Sequence, residues 1–141
     1  MGPTIVQSLG GMKYILVVVD DFTRYTWVVL LKDKSKAANK MIHLCKKLQV
    51  AKNILIAQIK SDQGREFENS KLISFCNDQG TKQEFFAPKT PQQNGVVERK
   101  NRVIQEMARV MLNNKSMPKS LWGESVNTAC HTLNSVLSSR Y

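Results

Sequence analysis

The longest unbroken apolar run in the chain is Ile15–Val19, and with Tyr14 it predicts a strand buried on both faces. Asp20-Asp21-Phe22-Thr23-Arg24 then reads as a turn. Tyr25–Leu31 is a second β-rich run, so the pair predicts an antiparallel hairpin. Lys32–Lys36 is a basic turn in which Ser35 is placed to cap a helix with Ala38, Met41, Ile42, Cys45 and Leu48 on one side. A short strand over Ile54–Ile59 follows. It leads into Lys60-Ser61-Asp62-Gln63-Gly64-Arg65-Glu66-Phe67, which presents an acid just past the carboxyl end of a buried strand, where α/β sheets tend to place chemistry. Leu72, Ile73, Phe75 and Cys76 predict a helix stopped at Asn77–Gly80 with Gly80 as C-cap, and Glu84–Phe86 a short strand.

Thr90-Pro91-Gln92-Gln93-Asn94-Gly95 is a polar loop of turn formers, and from Val96 to about Leu112 the spacing becomes helical. At about 100° per residue, Val96, Val97, Val103, Ile104, Met107, Ala108, Val110 and Met111 fill one arc, while Glu98, Arg102, Gln105 and Arg109 share a stripe opposite. Pro118 and Ser120 open a last helix through Trp122, Val126, Ala129 and Leu133 to Leu137. Ahead of Tyr14 no strand is predicted, because Met1–Thr4 carries no cap and Ser8–Gly11 reads as a turn. The order is strand, strand, helix, strand, helix, strand, helix, helix. It describes one α/β domain, a mixed sheet with helices, without repeats or linkers.

Composition adds a partner to this picture. The 141 residues are 42% hydrophobic and 23% charged, as in a soluble globular domain, yet 21 Lys and Arg against 11 Asp and Glu leave a net charge of +10. Such an excess points to a polyanion, nucleic acid before a membrane surface. No apolar run reaches bilayer length. Cys45, Cys76 and Cys130 are odd in number and far apart, which argues against a disulfide framework or a zinc site; they read as reduced and structural, and His43 and His131 as core or helix-surface residues.

The candidate chemistry lies in the acids. Glu98 falls in the first turn of its helix, where the dipole favours an acid and Arg102 makes an ordinary i,i+4 pair, so the helix alone leaves a structural role as open as a functional one. Phosphoryl transfer with divalent metals requires hard oxygen ligands gathered from different elements. Asp62 at a strand end and Glu98 at a helix start, with 35 residues between them, meet that requirement. Glu66 and Glu68 compete as nearby acids but flank Phe67 on a local turn face.

Ser61-Asp62-Gln63-Gly64-Arg65-Glu66-Phe67 followed at this distance by Asn94-Gly95-Val96-Val97-Glu98-Arg99-Lys100-Asn101 resembles the integrase core of the Ty1/copia class of LTR retrotransposons. Ser8–Gly11 with Val19–Arg24, Leu121-Trp122 and Asn127-Thr128-Ala129 extend the likeness over essentially the whole chain, residues 1–141. The resemblance implies a ribonuclease-H-like mixed sheet flanked by helices, and an Asp, Asp, Glu triad holding two Mg²⁺ or Mn²⁺ ions. By motif Asp62 is its second member and Glu98 its third. The first Asp of the pattern falls two positions upstream of Met1, so the resemblance implies a core partial at both ends with its central first strand largely missing. Asp20 and Asp21 belong by the same likeness to a turn.

The implied activity is DNA integration, 3′-end nicking followed by strand transfer, with this isolated fragment expected to be inactive and its standing as an enzyme left open. Arg102, Lys100, Arg99 and Lys60 are the expected phosphate contacts, element ends and target DNA the expected partners, a homo-oligomer the expected full-length state, and the nucleus the expected location. The rival reading is a transposon remnant that acts as a non-catalytic nucleic-acid-binding domain; a host ribonuclease-H-like nuclease has no separate support.

Overall fold

The computed structural model describes residues 2–7, 14–62, 64–86 and 95–138. Its pivot is the strand Tyr14–Val19 (β2), buried from Ile15 onward. The pleat sends Leu16 and Val18 to one face and Ile15, Val17 and Val19 to the other, and each face has its own core. Ala37–Lys52 (α1) and Ser70–Gln79 (α2) cover the first, with Met41, Leu44, Leu72 and Cys76 inside. Gly95–Asn114 (α3) and Trp122–Ser138 (α4) cover the second, with Val97, Ile104, Ala108, Trp122 and Val126 inside. The result is a helix–sheet–helix sandwich, the mixed α/β architecture expected. No helix among the described residues is long and apolar enough to cross a membrane.

A strand buried on both faces must also have both edges paired, because its peptide groups cannot reach water. Thr26–Leu31 (β3) pairs antiparallel on one side, from Val19↔Thr26 to Tyr14↔Leu31. Gly2–Gln7 (β1) pairs antiparallel on the other, from Gly2↔Val19 to Gln7↔Tyr14. This corrects the expectation that no strand precedes Tyr14 and that the central first strand is largely missing. Pro3 cannot donate to a ladder and disfavours a strand locally, but the open edge of β2 overrides that preference. On its far side β1 lies against Gln58–Ser61 (β4), which pairs in parallel with Lys82–Phe85 (β5).

Three local expectations also shift. β4 begins at Gln58 and not at Ile54, since α1 runs on to Lys52 and turns at Asn53 in the left-handed region (φ 50°), leaving Ile54 and Leu55 exposed in the connection. β5 starts at Lys82 because the ladder pairs it with Gln58, ahead of the predicted Glu84. Asp33, not Ser35, is the cap before α1: its carboxylate accepts the Ser35 N–H at 2.9 Å and opens a short 3-10 turn over Lys34–Lys36. Gly80 does end α2 in the left-handed region, at φ 70°. The predicted Ser8–Gly11 turn and the polar loop over Thr90–Asn94 lie outside the described residues.

The start of β3 is closed by a side chain from α4. Asn134, buried, accepts the Thr26 N–H through Oδ1 at 3.0 Å and donates through Nδ2 to the Thr26 carbonyl at 2.7 Å, as a neighbouring strand would. The Cys130 thiol donates to the same carbonyl at 3.2 Å. Asn134→Ala orphans the buried Thr26 N–H and leaves the Thr26 carbonyl only the weak thiol donor, and at about 1–3 kcal/mol for an unsatisfied buried group a loss of roughly 1–3 kcal/mol is expected in urea unfolding. Asn134→Asp is not expected to restore it, having lost the donor.

Candidate active site

In β4 the alternation buries Ile59, in the core under α1 and α2, and Ser61, and leaves Lys60 half-buried on the opposite face. Asp62 follows directly on Ser61 at the carboxyl end of β4 and is exposed. A tight turn holds it there. The Gly64 N–H donates to the Asp62 carbonyl at 3.2 Å, the Ser61 hydroxyl to the same oxygen at 3.1 Å, and the Phe67 and Glu68 N–H groups to the Gly64 carbonyl at 3.1 and 2.9 Å. Phe67 anchors the turn in the core, and its carbonyl accepts from Gln83 Nε2 at 2.6 Å.

Gly64 is a close approach: a Cβ there would stand 2.9 Å from Glu66 Oε2, so the Glu66 carboxylate folds back over the turn. Partial shielding of the carboxyl, and after it the charge of Glu66, push Asp62 above the usual carboxylate range. The residue as a whole is exposed, so the shielding is confined to the carboxyl in its turn. The sign follows directly. A carboxyl whose pKa is raised in the folded state destabilises the fold above that pKa and is neutral to it below the unfolded value. Asp62→Asn should therefore unfold at higher urea than wild type at pH 7, with the gap closing as pH falls through the ordinary carboxylate range and shrinking when a divalent cation is added.

α3 supplies the second acid. Val97, Ile104, Ala108 and Leu112 pin the helix to β2, and this phase leaves Glu98, Arg102 and Arg109 exposed on one stripe, with Gln105 donating to Asn101 Oδ1 at 2.8 Å. Arg99 curls back so that its guanidinium lies over Gly95, where a Cβ would be 3.1 Å from Nη1. Lys100 stands apart from the stripe, half-buried; desolvation first, then the charge of Arg24, hold its ammonium below the usual lysine range.

β1 packs against both β4 and α3, so the elements that carry Asp62 and Glu98 meet on the two flanks of one strand. Among the described residues no three His, Cys, Asp or Glu side chains converge as a metal-holding group. Asp20 does not supply the third. Its carboxylate is taken by the Phe22 N–H at 3.3 Å and the Thr23 hydroxyl at 2.7 Å. It also shares a cavity wall with Gln58 at the start of β4, and Asp62 follows the end of that strand, roughly 13 Å further on at ~3.3 Å per residue. Asp62, raised by burial first and by the charge of Glu66 second, and Glu98 are hard oxygen donors of the type that a Mg²⁺-like cation takes. The fold-back of Glu66 over Gly64 was missed by sequence reasoning, although the glycine midway between Asp62 and Glu66 signalled it.

A buried β2 sandwiched by helix pairs, with acids at the end of β4 and the start of α3, defines a ribonuclease-H-like integrase core. The comparisons agree: the integrase core domain family matches residues 4–91, and the chain belongs to it. The chain is 37% identical over 135 residues to the retrovirus-related Pol polyprotein from transposon TNT 1-94 of Nicotiana tabacum, covering 94% of this chain and 10% of that protein. It thus spans about a tenth of the length of the curated relative. The HTLV-2 integrase catalytic core domain in complex with magnesium superposes with a TM-score of 0.71 at 20% identity, over 94% of this chain and 82% of that one. A chain of the simian T-cell lymphotropic virus intasome gives 0.75 at 19%, over 94% and 47%.

Proposed function

We propose that this chain forms the DNA-joining core of a copia-type retrotransposon integrase, with Asp62 and Glu98 as ligands for divalent Mg²⁺ or Mn²⁺, two ions in the complete site. The observation that carries this reading is the placement of the two acids, with 35 residues between them, just past the end of β4 and in the first turn of α3, two elements that both pack against β1. The magnesium of the HTLV-2 core and the intasome of the simian virus support it by family likeness. When bound, such ions supply the charge that in-line phosphoryl displacement requires.

The remaining roles belong to the chain's own side chains. Arg102 shares the Glu98 stripe and is exposed, so it takes a phosphate beside the acid; Arg99 on the same helix and Lys60, two residues before Asp62, are the further phosphate contacts of this reading. Lys100 contributes at the edge of that surface. A covalent enzyme intermediate is not part of the scheme. The three thiols are buried, with Cys45 pushed up to about 12 chiefly by desolvation, and carry no accessible thiolate. The partners are element ends and target DNA, the working form a homo-oligomer, and the place of action the nucleus.

A second reading has one observation in its favour. Because the described residues bring no third acid to Asp62 and Glu98, the chain by itself serves as a nucleic-acid-binding domain without catalysis. Strand transfer separates the two. Mg²⁺-dependent joining by an integrase built around this chain supports the first, whereas salt-sensitive DNA binding with no joining in any context supports the second.

A further inference from the structure

Phe22 is the most exposed large apolar side chain among the described residues, at 93%, and the turn that carries it is built to hold it outward. Asp20 Oδ1 and Oδ2 accept from the Phe22 N–H and the Thr23 hydroxyl. The Thr23 hydroxyl oxygen accepts the Tyr25 N–H at 3.2 Å, the Asp20 N–H donates to the Tyr25 carbonyl at 2.9 Å, and the Arg24 N–H donates to the Asp20 carbonyl at 2.8 Å. Arg24 takes a φ of 66°, a left-handed conformation that few non-glycine residues adopt.

The ring does not lack an apolar seat. Asp20, Thr23 and Tyr25 border a cavity of about 750 Å³ whose other walls include Leu48, Ile54 and Leu55, and Phe22 is not among its lining residues. The hydrogen bonds fix the backbone of the turn, and the ring stands in solvent outside that space. The surroundings indicate what meets it. β2 packs against α3, and Val19 at the end of β2 shares a buried cluster with Val97 in the first turn of α3, so the turn that follows Val19 stands at the end of the sheet where α3 begins with Glu98 and Arg99. Arg24 is itself exposed, on a chain of net charge +10. A rigidly presented ring next to a guanidinium fits a nucleic-acid strand, the ring on a base and the cation on a phosphate.

We propose that the β2–β3 turn is a second DNA contact, in which Phe22 stacks on an unpaired base at a DNA end and Arg24 holds the adjoining phosphate. This rests on the reading of DNA as the partner. The test titrates the 141-residue chain against a duplex with a short single-stranded 3′ overhang, and against the same duplex with blunt ends. Phe22→Ala is expected to weaken overhang binding by about tenfold, the scale of one base–aromatic stack, and to change blunt-end binding much less. Phe22→Trp should keep the affinity, with its fluorescence quenched on binding. Arg24→Asn, which tolerates the left-handed backbone, should lower the slope of log K against log salt by about one. Equal overhang affinity of Phe22→Ala and wild type overturns the contact while leaving DNA as the partner, and absence of DNA binding by wild type overturns both. A changed oligomeric state in Phe22→Ala at unchanged DNA affinity would instead make the ring a protein contact and overturn the proposal. Unfolding midpoints should match wild type for both Phe22 variants, since the ring has no packing to lose.

Discussion

An integrase carrying this chain as its core loses Mg²⁺-dependent strand transfer by about three orders of magnitude or more on Asp62→Asn or Glu98→Gln. A metal-held phosphoryl transfer draws several kcal/mol of transition-state stabilisation from the ions, and each ~1.4 kcal/mol is a factor of ten. Each substitution removes a hard anionic ligand while keeping the size and the hydrogen-bonding oxygen of the side chain. Neither should unfold the protein, because both acids are exposed and the Asp62 turn is held by backbone bonds and by Phe67. Circular dichroism and urea midpoints provide that control. Glu66→Gln should reduce transfer far less, since its carboxylate reaches the site only by folding over Gly64. Strand transfer retained by either the Asp62 or the Glu98 variant removes both residues from the proposed ligand set.

How far these acids could be read in advance depended on how each is held. Glu98 was legible because helix phase is a local property: Val97, Ile104 and Ala108 face β2 in the structure, so the predicted stripe with Arg102 and Arg109 had to face out. Asp62 is legible by its neighbours in sequence, but its strand begins four residues later than predicted. Ile54 and Leu55 carry the strongest β pattern of that segment, yet they are left exposed once α1 extends to Lys52. The β4–β5 ladder, a long-range pairing, sets the true start.

β1 was illegible for the same kind of reason. Thr4-Ile5-Val6 are strand formers, but the run is short and opens on Gly2-Pro3, so the deciding demand comes from the free edge of β2. Asn134 and the Thr26 backbone lie 108 residues apart, and no periodicity signals that a helix amide will complete a strand end. Asp20 shows the reverse case, since its turn chemistry was readable and the structure finds its carboxylate spent on that turn.

The second large effect concerns the floor beneath Asp62. Phe67→Ala is expected to destabilise the chain by about 3–5 kcal/mol, the usual range for a buried phenylalanine truncated to alanine. Phe67 is 2% exposed in the core that Ile59, Leu72 and Cys76 share, so the vacated volume has rigid walls from β4 and α2 and cannot readily collapse. The loss spreads to the site because the same residue ties the turn together: its N–H holds the Gly64 carbonyl and its carbonyl holds Gln83. Hydrogen exchange should show this as faster exchange at Gly64, Phe67 and Glu68, with the amides of α3 little changed below the global unfolding limit. Phe67→Leu, which refills most of the volume, should recover the larger part of the stability and slow those amides again. Uniformly accelerated exchange in both helical layers would show instead that the turn has no separate anchor, and that Asp62 is positioned by the fold as a whole.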